Sequence, residues 1–320
     1  MNDIITIGHA RCRVDIWTLG AAVNGLWVPD RAGALGRVCP GYATADERLA
    51  ARSYLGEIVG PVANRIAGAA FTLDGVTFAT DRNEGENTLH SGPGGLHRLT
   101  WAVADQGEDH VRLAVDWPAG RGGFPGPLHL AVEYRVAGQT VTHVITATAE
   151  APTLANICAH AYFNLSGSPD PMLDETLAVA AGRYLPVGPG LIPLPSAPAP
   201  VEGPLDLRRP RRLGDLVTDP HPQIAAAGGL DHAFVLDAPG LDQVAVELAD
   251  PSSGRRLRLA TDCPAVQVYS GHGLPVPYGA IAIEAEDYPG APGRPDFPSI
   301  ALRPGEEYRR ETRWTFDVVD

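Results

Sequence analysis

Apolar and polar residues alternate along much of this chain. From Leu128 to Val136 the segment LHLAVEYRV puts Leu128, Leu130, Val132, Tyr134 and Val136 at every second position, the period of a half-buried strand. Val244-Val246-Leu248 and Trp314-Phe316-Val318 repeat that period. Val141–Thr148 is rich in β-branched residues, and Gly138-Gln139 just before it suits a hairpin turn. Half-buried antiparallel strands joined through Gly and Pro turns build sandwiches or barrels, so the pattern predicts an all-β fold.

Helical patterning is scarce. Thr44-Ala45-Asp46-Glu47 has the spacing of a capping box leading into Arg48–Arg52, enough for a turn or two of helix. Pro186–Pro204 is dense in Pro and Gly, but strand patterning resumes after it with no change of composition. It is expected to be a long loop inside one domain that takes in 1–320.

Composition narrows the class. Of 320 residues, 44% are hydrophobic and 20% charged, too apolar for disorder. The 36 Gly and 30 Pro are scattered rather than periodic, as turn residues between many short elements are. The formal charge of −13 speaks against nucleic acid and anionic membrane partners, which call for a basic face. Cys12, Cys39, Cys158 and Cys263 form no CxxC pair, and so neither a disulfide framework nor a zinc signature. There is no basic leader with an apolar core and no run approaching a membrane span, so a cytoplasmic location is expected.

Four segments carry polar residues that strands and turns do not need. In Gly60-Pro-Val-Ala-Asn64-Arg65-Ile66 a fixed cation stands beside a turn; a surface arginine near a hairpin is the plainer reading. In Asn87-Thr-Leu-His90-Ser91-Gly92 a histidine sits among glycines that let a ligand approach, though it could equally be an ordinary loop histidine. In an extended Asn156–Leu165 segment, Asn156, Cys158, His160, Tyr162 and Asn164 share one face. Such a face is costly to bury and fits the wall of a polar cleft, the alternative being a hydrogen-bonded core network. In Ala280–Asp287, Glu284 and Glu286 share a face after an apolar run. If that face is buried, one carboxyl is pushed toward neutrality, which suits a general base; if the strand emerges into solvent, paired acids are unremarkable. Nucleotide-binding glycine loops, a GxSxG elbow and HExxH are all absent.

In this order, the four segments resemble the aldose 1-epimerase family, from about Gly60 to the C-terminus. Leu230-Asp231-His232-x-Phe234, Trp101 and Gly123-Phe-Pro-Gly126 add to the likeness. The resemblance implies a large antiparallel β-supersandwich with few short helices. It implies interconversion of the α and β anomers of a free monosaccharide through the open-chain aldehyde. Glu284 then takes the C1 hydroxyl proton as catalytic base and His160 protonates the ring oxygen as acid. His90 assists near that oxygen, and Arg65, Asn64, Asp231, Tyr162 and Glu286 are the expected substrate contacts. No metal or cofactor is expected, because both steps are proton transfers. Two positions depart from the family: Ser91 stands where a glycine is usual, and Glu286 where a glutamine often is. A second acid there could raise the pKa of Glu284, pair with an arginine, or meet different hydroxyls. Two alternatives are a hexose-6-phosphate epimerase, which needs converging arginines, and a carbohydrate-binding module that has lost catalysis. A monomer or a homodimer would fit.

Overall fold

The structure, a computed structural model, describes residues 3–319. A nine-stranded antiparallel sheet runs in the order Ala102–Gln106, His110–Trp117, Leu128–Ala137, Thr140–Ala149, Glu307–Val318, Arg255–Thr261, Val246–Ala249, Thr176–Val179 and Arg211–Arg212. The two strands foreseen around Gly138-Gln139 are its third and fourth, with Val136 opposite Val141 and Leu128 opposite Ala149. The chain is all-β, and its α-helices among the described residues are three short ones. Ala45–Ala50 is the helix with the predicted capping box: Thr44 Oγ1 accepts the Glu47 N–H at 3.1 Å, and Glu47 Oε2 accepts the Thr44 N–H at 3.3 Å.

A second sheet, six strands in the order Tyr162–Phe163, Ile281–Glu286, Ala265–Tyr269, Asp231–Val235, Arg183–Leu185 and Ala199–Pro200, lies against the first. Its two faces differ, as a period of two requires. One carries Phe163, Ile281, Ile283, Val266, Val268 and Phe234, all within 1% of complete burial. Phe163 packs edge-on to Trp314 of the large sheet at 5.3 Å between ring centres, which marks the sandwich core. A four-stranded sheet, Ile4–His9, Cys12–Trp17, Ala22–Pro29 and Leu35–Cys39, adds Val14, Ile16 and Leu26 to the same hydrophobic cluster.

Two expectations are corrected. Val244 lies outside its strand, which begins at Val246, and is exposed. The Asn156–Leu165 segment is not one strand. Cys158–Ala159 pairs with Ile58–Val59 and Tyr162–Phe163 pairs with Ile281–Ala282, so the chain changes partner between them. That change breaks the shared face. Asn156 Oδ1 accepts the Asp287 N–H at 2.9 Å, and Asn164 Nδ2 donates to the Gly279 and Asp170 carbonyls. These two amides satisfy backbone groups away from the cleft. Pro186–Pro204 is a loop as expected, pinned where Ala199–Pro200 pairs with Arg183–Tyr184.

Candidate active site

The other face of the six-stranded sheet is polar. Ladder register puts Gln267 opposite Glu284 and Tyr269 opposite both Asp231 and Ala282, while Ala282 also stands opposite Tyr162. Successive residues alternate sides, so Tyr162, Glu284, Gln267, Tyr269 and Asp231 all project from this one face. They form the floor of a cleft of about 240 Å³.

Two loop segments make its wall. Arg65–Ile66 pairs with Thr88–Leu89, and the clamp continues one residue further: the His90 N–H donates to the Asn64 carbonyl at 3.0 Å, and the Asn64 N–H donates to His90 Nδ1 at 3.1 Å. Asn64, His90 and Ser91 all have positive φ, of 59°, 49° and 64°. Asparagine and histidine enter that region more readily than serine, so the surrounding contacts hold Ser91 there. Ser91 Oγ supplies one such contact, accepting the Val62 N–H at 2.8 Å and donating to the Val62 carbonyl at 3.1 Å. Because His90 Nδ1 accepts a backbone proton, its own proton lies on Nε2, and the ring is a donor there.

The chemistry converges on two side chains. His160 Nε2 is 3.4 Å from Glu284 Oε2, and both residues are more than nine-tenths buried. Burial drives the His160 imidazolium down, to about 3. Burial, and then the Asp231 charge, push the Glu284 carboxyl above the usual carboxylate range. Their mutual contact works against both shifts, since an ion pair favours the charged forms. Cys158, kept a thiol by burial, lies beneath with Sγ 3.7 Å from the same Oε2. Glu284 Oε1 has no hydrogen-bond partner among the described residues.

His160 is held between two tyrosine rings, Tyr162 at 5.1 Å with planes 25° apart and Tyr54 at 5.7 Å with planes 30° apart. Tyr54 reaches this place because its own segment pairs with that of the histidine: the Gly56 N–H donates to the His160 carbonyl, and the His160 N–H to the Glu57 carbonyl. Edge contacts of Tyr54 to His90 and His97 complete the aromatic wall.

Arg65 grips Glu84 with two bonds, Nε to Oε2 at 2.7 Å and Nη2 to Oε1 at 2.9 Å. Its Nη2 is 4.0 Å from Asp231 Oδ2, and Asp231 Oδ1 accepts a short hydrogen bond from Gln267 Nε2. Burial holds Asp231 above its ordinary value, against the pull of Arg65. His90, His160 and Glu284 stand close enough to suggest a metal-ligand triad. The Nε2 proton of His90 argues against it, because a ring whose Nδ1 accepts a backbone proton has no lone pair on Nε2 to give.

Seven of the eight expected residues thus line one cleft: Glu284, His160, His90, Arg65, Asn64, Asp231 and Tyr162. The eighth, Glu286, is fully buried behind it and touches Asn64 instead. Sequence reasoning missed Tyr54, Glu84, Gln267, Tyr269 and His272, which also line the cleft. Gln267 and Tyr269 alternate with Val266 and Val268, a signal that was there to be read. Tyr54 and Glu84 carry no local signal, since only pairing between distant segments brings them in.

The family model described as aldose 1-epimerase matches residues 3–315. Galactose mutarotase of Sus scrofa is 35% identical over 96% of this chain and 92% of its own. Aldose 1-epimerase of Escherichia coli (strain K12) is 31% identical over 95% and 91%. Among solved structures, an aldose epimerase homologue from C. elegans superposes with a TM-score of 0.93 at 26% identity over the whole of both chains. Galactose 1-epimerase from Lactobacillus acidophilus NCFM gives 0.87 at 26% identity, over 99% of this chain and 95% of that one. This chain belongs to the aldose 1-epimerase family.

Proposed function

We propose that the protein is an aldose 1-epimerase acting on a free monosaccharide, with Glu284 as base and His160 as acid. The observation that carries this reading is the buried contact between His160 and Glu284 on the floor of a small polar cleft.

The reactive form is the ion pair. Glu284 takes the proton of the C1 hydroxyl while His160 gives its proton to the ring oxygen. The C1–O5 bond breaks, leaving the open-chain aldehyde, a protonated Glu284 and a neutral His160. Rotation about C1–C2 presents the other face of the aldehyde. The C5 hydroxyl then adds to it, its proton returning to His160, while Glu284 protonates the aldehyde oxygen. One proton sits on the pair before and after, so no external acid or base is consumed.

The surroundings support these roles. Stacked tyrosine faces favour a cation between them and so oppose the loss of the imidazolium charge. The Nε2–H of His90 is a donor suited to the developing negative charge on the ring oxygen. Asp231, hydrogen-bonded to Gln267 and 4.0 Å from Arg65, forms with them a polar array suited to sugar hydroxyls. Residues 1–320 serve as one catalytic domain in this reading, which the hydrophobic cluster running from Ile7 to Phe316 supports.

A phosphorylated sugar fits less well. Glu84 already takes both bonds of the Arg65 fork, and Arg52, the other arginine of the lining, stands exposed at the rim. The test is polarimetric: the protein is added to freshly dissolved α-anomers of glucose, galactose, xylose and arabinose. Acceleration over the spontaneous change in rotation on any of them supports the assignment, and none on all four refutes it for these sugars.

A further inference from the structure

Glu286 follows Glu284 by two residues on the same face of its strand, yet it is fully buried and does not reach the cleft. Ala265 stands opposite it in the ladder, so no polar side chain meets it from the neighbouring strand position. Its Oε1 accepts one hydrogen bond, from Asn64 Nδ2 at 3.1 Å, and its Oε2 has no partner among the described residues. Glu286 forms no ion pair among them either. Arg65 is taken by Glu84, and Arg310 by Asp287 at 2.7 Å.

The titratable groups that face it are all acids. Glu284 lies on its own strand and Asp287 directly after it, Asp231 two strands away, and the Cys158 thiol on the segment packed beneath. A carboxylate out of water, with acids around it and one oxygen unmatched, is far less stable than the neutral acid. Burial first, and Glu284 second, push its pKa well above the usual carboxylate range, in agreement with the geometry.

What Glu286 holds is the hub of the cleft wall. Asn64 Oδ1 accepts the Arg65 N–H at 3.0 Å, the Asn64 N–H fixes the proton of His90, and the Asn64 backbone is left-handed. We propose that Glu286 is a positioning residue that works as an uncharged carboxylic acid: it anchors Asn64, and through it His90 and Arg65, without placing a second negative charge beside Glu284. This rests on the cleft being the mutarotase site. It also accounts for how an acid can stand at this position without disturbing the base next to it.

The test compares Glu286→Gln and Glu286→Ala with the wild-type protein, using two readouts. The first is independent of turnover. The infrared difference spectrum between wild type and Glu286→Gln at neutral pH contains the carbonyl stretch of a protonated carboxyl if Glu286 is neutral, and only carboxylate bands if it is ionised. The second is the pH profile of kcat/KM. Glu286→Ala, confirmed as folded by circular dichroism, loses kcat by about tenfold or more as the wall residues shift, and Glu286→Gln restores most of that loss. The alkaline limb of Glu286→Gln overlays that of the wild type. A limb displaced downward by about one pH unit or more shows that a neighbouring charge has been removed and overturns the proposal. Full kcat in a folded Glu286→Ala overturns it as well. Should Glu286→Ala not fold, the infrared band and the Glu286→Gln limb still decide. If the wild-type protein accelerates no sugar, the mutarotase reading fails, while the infrared band still decides whether Glu286 is charged.

Discussion

His160 Nε2 and Glu284 Oε2 lie 3.4 Å apart, joined across a break in strand pairing that brings residues 124 positions distant into one buried contact. Oε2 also receives the Cys158 thiol, which leaves Oε1 as the oxygen without a partner among the described residues. A pair so arranged makes specific demands on substitution and pH.

Glu284→Gln and His160→Ala each remove one of the two proposed proton carriers. A positioned acid or base contributes about 10²–10⁴-fold, so each variant is expected to lose kcat by roughly that factor. Polarimetry on the substrate the wild type prefers measures it, with circular dichroism to establish that the fold persists. Near-normal turnover in either variant would reassign that residue.

Tyr54→Leu keeps an apolar side chain over His160 but removes the ring face. A cation over an aromatic ring gains about 0.5–2 kcal/mol, so kcat is expected to fall by roughly two- to thirtyfold. Stopped-flow rotation or a coupled dehydrogenase assay reads the change. An unaltered kcat would mean that Tyr162 alone steadies the imidazolium.

The pH profile of kcat/KM follows from the direction of the Glu284 shift. Its pKa is raised by burial and by Asp231, that of His160 is lowered by burial, and in the proposed mechanism the pair must hold one proton to act. Activity is therefore present while the pair keeps that proton and is lost as pH rises through a limb lying above the usual carboxylate range. An alkaline limb at the ordinary imidazole value would mean that the resting pair is already a Glu284 carboxylate beside a His160 imidazolium.

Glu175 gives a stability prediction away from the cleft. It is buried with Oε1 accepting the Leu165 and Ser166 N–H groups, and burial raises its pKa from 4.5 to about 8. A folded-state pKa above the unfolded one contributes stability that is fully present below about 4.5 and lost as pH rises through about 8. Glu175→Gln removes this titration while keeping an acceptor for the same amides. Its Tm relative to wild type is expected to be higher at about pH 8 than at about pH 5, read by calorimetry. A constant difference between the two would refute the buried neutral acid.

Ser91→Ala leaves a buried N–H and carbonyl of Val62 without their side-chain partner. The expected cost is about 1–3 kcal/mol of folding stability, measured by urea denaturation. A loss near zero would show that the turn holds its left-handed backbone without the serine.

Sequence alone determined the sheet class, because a period of two in apolar side chains has no other low-energy home than a half-buried strand. It also located the hairpin around Gly138-Gln139 and the short helix capped by Thr44, both of which depend on residues adjacent in the chain. It marked Glu284 and His160 as polar residues out of place in apolar company. What it could not decide was which polar residues share a cleft. Asn156 and Asn164 belonged, by alternation, on the same face as His160, but a change of strand partner between Ala159 and Tyr162 turned them to backbone duties. Glu286 alternates correctly with Glu284 and still lies outside the cleft, because Asn64 comes from more than two hundred residues away to cover it. Tyr54 enters through the pairing of two segments about a hundred residues apart. Local pattern fixes which side of a strand a residue takes. Only the tertiary structure decides what covers that side, because the covering residues come from segments whose contacts no local period encodes.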